Sequence, residues 1–165
     1  MNRPLAPFGI AAALCWLAAP AGAQTIFSER NISAQAAFVV AQAAIAACKK
    51  DGYDISVVVV DRNGQVRLAV RADTASPHNF ELARRKAYTA RTFRRTSASW
   101  AKRMVDEPEL SGQKSLADVI PLGGGVPVDA GKETIGGVGV SGSPGQDKDE
   151  ACAAAGVAAI AADLK

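Results

Sequence analysis

The sequence predicts a single domain of the α+β class, with helices packed against an antiparallel sheet. An amphipathic helix comes first, followed by two β-branched strands joined by an Asn-Gly turn. A glycine-rich strand and an alanine-rich helix close the chain. The ~142 residues from position 24 onward are enough to bury one ordinary core.

Residues 1–23 have the features of a secretory signal peptide. Arg3 supplies a positive start, the apolar run from Phe8 to Ala19 is too short to span a bilayer, and Ala21-Gly22-Ala23 is an A-x-A cleavage site. We therefore expect a periplasmic or secreted protein whose folded domain is residues 24–165. The rest of the sequence contains no apolar run long enough for a membrane span.

The first predicted helix covers residues 31–50. It is capped by Asn31 or Ser33 and ended by Asp51-Gly52. Apolar residues at three- and four-residue steps predict one buried stripe. This stripe consists of Ala34, Phe38, Ala41, Ile45 and Cys48.

A hairpin follows the helix. The continuous apolar run at 55–60 is typical of a strand that is buried on both faces. Asp61-Arg62-Asn63-Gly64 is a good turn sequence, and residues 65–71 are the returning strand.

The second predicted helix begins with Ser76 as N-cap and Pro77 at its first position, and extends to about Arg95. Its apolar arc is interrupted by one charged residue, Lys86. An unpaired buried charge is very costly. The Lys86 ammonium must therefore either reach the rim of the core or lie against a specific anion or carbonyl. The other residues of this arc are Leu82, Ala83, Thr89, Ala90 and Phe93.

The segment between the second helix and the glycine-rich stretch gives weaker patterns. Residues 97–105 are predicted to form a short helix that ends before Pro108, residues 112–116 a loop, and residues 118–121 a short strand. Residues 147–164 are predicted to form the last helix, with acidic residues in its first turn.

The stretch from Pro121 to Gly142 is the centre of the prediction. Three consecutive glycines, Gly123, Gly124 and Gly125, indicate a turn or a close backbone approach. Residues 126–128 then resume an extended course, where Pro127 indicates an edge strand or the start of a strand, and residues 129–132 predict a turn. In the strand at 133–141, glycines leave one face almost without side chains. Either a closely packed helix or a bound ligand would explain this bare face.

Charge and motifs exclude several function classes. The basic residues cluster between positions 84 and 103, where a solvated helix face is the ordinary explanation. Export and the near absence of interleaved aromatic residues disfavour nucleic acid as a partner. No phosphate-binding glycine motif is present, and a single histidine provides neither a zinc cage nor a nucleophile–base pair. Whether the protein is an enzyme stays open.

Cys48 and Cys152 are predicted to form a disulfide. An exported protein meets an oxidising compartment, and the two cysteines lie at the end of the first helix and near the start of the last. Antiparallel packing of these helices would bring the two thiols together, and the small residues near them allow a close approach. Buried free thiols are the alternative.

Four segments in order resemble the GlcG/HbpS-like heme-binding family, whose relatives include the C-terminal domain of PduO-type proteins. They are VVVVDRNGQVRLAVRADTASP, KAYTARTF, PLGGGVPVDAGKETIGGVGVSG and QDKDEACAAAG, and the resemblance that they carry extends over essentially the whole mature chain. The resemblance implies a profilin-like antiparallel sheet flanked by helices, assembled as a homo-oligomer. It also implies heme binding and, in some members, heme degradation or redox sensing.

Heme needs a flat apolar slot, an axial donor and cations for its propionates. The bare glycine face and Gly123–Gly125 are candidates for the slot, and the arginine-rich helix, with Lys86 and Arg71, for the cations. His78 is the first candidate for a metal ligand; Tyr53, Tyr88 and Met104 are the other common donors.

Two other functions stay open at this stage. The first is a binding module for a small carboxylate or hydroxy acid, held by Arg71 and Lys86 near the glycines. The second is a non-catalytic accessory or assembly protein that binds neither ligand.

Overall fold

The computed structural model describes residues 26–165, which form a four-stranded antiparallel sheet with helices on both faces. The strand order is β2-β1-β4-β3. The predicted signal peptide and its cleavage site lie outside the described residues. The elements in chain order are α1 (Ala34–Lys50), β1 (Ser56–Asp61), β2 (Val66–Arg71), α2 (His78–Phe93), α3 (Ser97–Asp106), β3 (Gly125–Ala130), β4 (Glu133–Ser141) and α4 (Gln146–Ala158).

One face of the sheet is covered by α1 and α4, which enclose the main aliphatic core. Ser33 caps α1, because its Oγ accepts a hydrogen bond of 3.0 Å from the backbone N–H of Ala36. The predicted stripe is wrong in part: Phe38 is 47% exposed, and Ala34 is exposed as well. The sheet contacts a neighbouring arc of the helix that includes small side chains. The buried residues of α1 are Ala37, Val40, Ala41, Ala44 and Cys48.

The disulfide between Cys48 and Cys152 is confirmed, with a Cα–Cα distance of 5.6 Å. It joins the last turn of α1 to the second turn of α4. Close helix packing accompanies it, since a Cβ on Gly156 would lie 2.7 Å from the carbonyl oxygen of Val40. A glycine at this position therefore lets the two helices approach each other.

The hairpin forms as predicted, with β1 and β2 antiparallel and Gly64 at φ +78° in the turn. All six residues of β1 are buried, because β1 is a central strand covered on both faces. β3 is an edge strand, as Pro127 indicates, and pairs only with β4. Gly131 turns between them at φ +63°.

The second face of the sheet is covered by α2, which lies directly on the glycines of β4. A Cβ on Gly139 would lie 2.0 Å from the carbonyl oxygen of Ala83, and one on Gly137 would lie 2.6 Å from that of Ala87. Both distances are far below van der Waals contact, so backbone packs on backbone here. The prediction that the bare glycine face forms a slot for heme is therefore wrong, because the helix occupies that space.

Four local predictions need correction. Ser76 makes no side-chain cap, and Pro77 itself precedes α2 with helical dihedral angles. Residues 118–121 form no strand, and a 3₁₀ segment, Pro108–Ser115, occupies part of the predicted loop. α4 ends at Ala158 instead of continuing to Leu164; a second 3₁₀ segment, Ala161–Asp163, follows.

Among residues 26–165, no helix combines the length and apolar character needed to span a membrane.

Candidate functional site

A cavity of about 490 Å³ opens where the first turns of α2 and α4 meet the end of β4. Gly142, at φ +136°, turns the chain out of β4 and into the loop that leads to α4. Most of the wall is polar or glycine, and Leu82, Leu122 and Pro144 supply its apolar part. The other lining residues are Ser76, His78, Asn79, Lys86, Ser141, Gly142, Ser143, Gly145, Gln146 and Asp149.

A buried ion pair lies against this cavity. The Lys86 ammonium donates to Asp149 Oδ2 at 2.8 Å and to the carbonyl oxygen of Val140 at 3.1 Å. The side chains of Lys86 and Asp149 are only 3% and 5% exposed. Of the two explanations for Lys86 offered by the sequence, a specific anion is therefore the correct one, and the anion belongs to the chain itself.

Asp149 is held from both sides. Its Oδ1 accepts hydrogen bonds from the backbone N–H of Ser143 at 3.0 Å and from the Ser143 hydroxyl at 2.7 Å. The carboxylate therefore satisfies Lys86 and at the same time fixes the loop before α4. The lack of a side chain at Gly124 makes room for the pair, because a Cβ there would lie 2.8 Å from Asp149 Cβ and 3.0 Å from Lys86 Nζ.

His78 lies on the rim of the cavity and is exposed, as the first residue of α2. The other candidate donors are placed elsewhere. Met104 is 3% exposed within a core cluster, and Tyr88 packs over Gly64 at the hairpin. The hydroxyl of Tyr53 accepts a hydrogen bond from Lys148. Among these four candidate donors, only His78 belongs to the cavity lining.

The three consecutive glycines support the site without lining it. The N–H of Gly125 donates to Ser97 Oγ at 2.8 Å, and its Cα packs under the Lys86 backbone, where a Cβ would lie 2.2 Å from the carbonyl oxygen. The N–H of Gly123 donates to Gln146 Oε1. The structure thus gives these glycines a packing role, and direct contact with a ligand stays a prediction.

Arg71 lies at the same end of the sheet as Ser141, but it does not line the cavity. In the strand register, Ser56 pairs with both Arg71 and Ser141. Arg71 is therefore two strands, about 10 Å, from Ser141. It is exposed, and it does not meet Lys86 as the carboxylate hypothesis expected.

The basic residues of α2 and α3 mostly pair with this chain's own oxygens. Arg84 donates to Asp118 at 2.7 Å, and this hydrogen bond lowers the pKa of Asp118 below its ordinary value. Arg85 donates to the carbonyl oxygen of Val119, and Arg103 pairs with Glu107. None of these three arginines lines the cavity, so the arginine-rich helix does not supply the predicted cations there.

Sequence reasoning missed Asp149, Asn79 and Ser141 as cavity residues. In the sequence, Asp149 is one of the acidic residues in the first turn of the last helix. The helix dipole already explains an acidic residue there, so there was no reason in the sequence to look for a partner of Asp149. A charge in an apolar arc does indicate that an opposite charge lies elsewhere in the chain. The sequence gives no means of choosing that partner among its 16 acidic residues.

The family model described as haem degrading protein HbpS-like matches residues 32–158. This chain belongs to that family. HbpS from Streptomyces reticuli, solved as a double mutant, is 38% identical to this HbpS-like chain, with a TM-score of 0.77, over 86% of this chain and 96% of the other. The residues that the family model matches include all four strands and α1, α2 and α4, so they cover every element that builds the cavity.

Two further solved structures extend the comparison. ORFY from Klebsiella pneumoniae is 25% identical with a TM-score of 0.78, over 85% of this chain and 97% of the other. The protein in the PduOC:heme complex is 26% identical with a TM-score of 0.72, over 79% of this chain and 96% of the other. The relationship to HbpS and PduO proteins expected from the sequence is thus confirmed. No curated protein matches the chain.

The residues around the cavity fit a heme group in two respects. His78 offers an imidazole at the rim, and the spare polar hydrogens of the lining suit the carboxylates at one edge of a porphyrin. The apolar wall of Leu82, Leu122 and Pro144 is small, so most of the macrocycle would remain outside the cavity. Within residues 26–165, no group of three or more histidine, cysteine or acidic side chains is placed to hold a bare metal ion.

Proposed function

We propose that this protein is an exported heme-binding protein and that heme binds at the cavity formed by α2, α4 and the end of β4. The observation that carries this proposal is the position of the single histidine of the chain on the rim of that cavity. Family membership and the heme complex of a 26% identical relative support it.

In this proposal His78 would hold the iron of the bound group through an imidazole nitrogen. The bound group would supply a redox-active iron, and the protein would supply its position and its surroundings. Leu82, Leu122 and Pro144 would provide apolar contacts for the bound group. The ion pair between Lys86 and the first turn of α4 holds α2 and α4 at a fixed separation, so it would keep this surface in place for binding.

The test is an absorbance titration of residues 24–165 with hemin. We expect a shifted Soret band that saturates at a fixed stoichiometry, and His78→Ala should change the band position and weaken binding by about tenfold or more. Tyr53→Phe is the control, because its hydroxyl already accepts from Lys148 and lies outside the cavity lining. An unchanged spectrum in His78→Ala would refute the ligand assignment, and no saturable shift in the wild type would refute heme binding.

The decay of the Soret band distinguishes a protein that degrades heme from one that only binds it. Bound hemin is incubated with ascorbate in air, and the decay of the Soret absorbance is compared with that of free hemin. Faster decay with the protein, together with release of iron, would indicate heme degradation. A stable band would indicate storage or sensing.

Export and assembly are proposed on the same basis. We expect mass spectrometry of the protein from an expressing cell to show a chain that begins at Gln24, because Ala21-Gly22-Ala23 precedes it. Material that still begins at Met1 would contradict export.

Light scattering should give a multiple of the protomer mass if the chain assembles as a homo-oligomer, and a monomer mass would exclude this.

A further inference from the structure

The floor of the cavity contains hydrogen-bond donors that the protein does not use. Asn79 is 8% exposed; its Oδ1 accepts a long hydrogen bond of 3.5 Å from the Ser141 hydroxyl. Among the described residues, no hydrogen bond from its amide nitrogen to a protein acceptor is present. Asn79 lines the cavity, and its Nδ2 lies beside another lining residue, since a Cβ on Gly142 would be 3.2 Å from it.

Lys86 adds a second spare donor. An ammonium group has three N–H bonds, and two of them are used on Asp149 and on the carbonyl oxygen of Val140. Lys86 also lines the cavity. Among residues 26–165 its third N–H has no acceptor, and hydrogen bonds from a charged group are stronger than those between neutral groups.

The first turn of α4 supplies backbone donors on the opposite wall. Gly145 is the N-cap of this 13-residue helix and makes no side-chain capping bond, so the first N–H groups of α4 lack a side-chain partner. Gly145 and Gln146 both line the cavity. The positive end of the helix dipole thus points to the same space as Asn79 and Lys86.

The one carboxylate of the cavity lining is already occupied. Asp149 is the only acidic residue in the lining, and its two oxygens accept from Lys86 and from Ser143. A cation would therefore find no free carboxylate here. The Lys86–Asp149 pair is neutral as a whole, so the preference for an oxygen-rich anion comes from the unpaired N–H groups of the lining, which has no free carboxylate.

We propose that Asn79, Lys86 and the N-terminus of α4 form a carboxylate subsite at the floor of the cavity. One carboxylate would accept from the Asn79 amide and the third N–H of Lys86 with one oxygen, and from the α4 backbone with the other. The carboxylate belongs either to a heme propionate, in which case the subsite rests on the proposed function, or to a free small carboxylate. Arg71, two strands away, is left outside the subsite.

The test uses a double variant, Lys86→Met with Asp149→Asn, and a single variant, Asn79→Leu. The double change removes the ammonium without leaving a buried carboxylate unpaired, and the side-chain amide oxygen introduced by Asp149→Asn would still accept from Ser143. Lys102→Met is the matched control, since Lys102 is exposed on α3 and pairs with Asp106 away from the cavity. Circular dichroism and urea midpoints show whether each variant is folded.

Four probes are titrated against each folded variant: hemin, hemin dimethyl ester, succinate and dimethyl succinate. Hemin binding is followed by absorbance, and succinate binding by calorimetry. We expect the wild type to bind at least one acid about tenfold or more tightly than its ester. Both cavity variants should lose that difference, whereas Lys102→Met should keep it.

The outcomes show whether the carboxylate is a heme propionate or a free acid. They also distinguish a failure of the carboxylate subsite from a failure of the proposed heme binding. A difference between hemin and its ester assigns the subsite to a propionate. A difference confined to succinate assigns it to a free carboxylate, and succinate binding without any hemin binding would refute the proposed function while supporting the subsite. Equal affinity for acids and esters in the wild type, or an acid preference that survives in both cavity variants, would overturn the subsite.

Discussion

The two faces of the sheet are built in different ways. The face under α1 and α4 is filled by side chains such as Val57, Val138 and Val140, all fully buried. On the face under α2, the glycines of β4 bring helix backbone against strand backbone, and the buried charge of Lys86 lies beside them. Side-chain packing can relax around a changed residue, whereas backbone contact leaves nothing to move. The α2 face should therefore tolerate substitution less than the face under α1 and α4.

The largest expected effect is on this backbone contact. Gly139→Val should destabilise the fold by about 4 kcal/mol or more, because its Cβ would overlap the Ala83 carbonyl oxygen, which lies 2.0 Å away. Urea unfolding followed by circular dichroism measures this. Gly112→Ala is the control, since a Cβ there meets nothing within 4 Å, and its urea midpoint should stay near that of the wild type. A wild-type midpoint for Gly139→Val would show that α2 can shift.

The next effect concerns the buried ion pair. Lys86→Met should cost about 3–5 kcal/mol, because it leaves the Asp149 carboxylate buried with only Ser143 as a partner. Adding Asp149→Asn should recover much of the loss. If the single and double variants have the same urea midpoint, the pair is not coupled.

A third prediction concerns the disulfide on the face of the sheet that α1 and α4 cover. Replacing Cys48 and Cys152 together by alanine should cost about 2–4 kcal/mol, since the bridge joins residues 104 positions apart and constrains the unfolded chain. The fold should survive, because the aliphatic core under α1 and α4 remains. Differential scanning calorimetry of the oxidised, reduced and alanine forms gives the cost. Equal melting temperatures would mean that the bridge adds nothing to the packing of the two helices.

The smallest expected effect is a dependence on pH at the surface. Arg84 lowers the pKa of Asp118 below its ordinary value of 3.8. The stabilisation is therefore present above pH 3.8 and is lost as the pH falls through the lowered folded-state value. Asp118→Asn suits the backbone, because Asn tolerates the φ of +65° at this position. Urea midpoints between about pH 6 and pH 2.5 should fall slightly less steeply in this variant, and parallel curves would contradict the ion pair.

Local patterns predicted the elements well and the contacts between them less well. The hairpin, the bounds of β4 and the cap at Ser33 depend on neighbouring residues, so the sequence contains what decides them. The disulfide was predicted from the ends of two helices and the compartment. The exposed Phe38 was placed in the core because periodicity gives a stripe but does not say which arc of it meets the sheet.

The site was harder to predict because its parts lie far apart in sequence. Lys86 and Asp149 are 63 positions apart, and Asn79 and Ser141 are 62 apart. The bare strand face was expected to allow either a helix or a ligand, and only the position of α2 decides in favour of the helix. His78 was singled out because it is the only histidine, and its place on the cavity rim follows from the start of α2.

The disulfide encloses more of the molecule than the two helices it joins. All four strands, α2, α3 and the 3₁₀ segment Pro108–Ser115 lie between Cys48 and Cys152. A protease that cuts the chain once anywhere in this interval would leave two pieces that are still one covalent molecule. The cut ends would remain at a high effective concentration, so the nicked protein would reassemble as a unimolecular process and would separate into fragments only under reducing conditions.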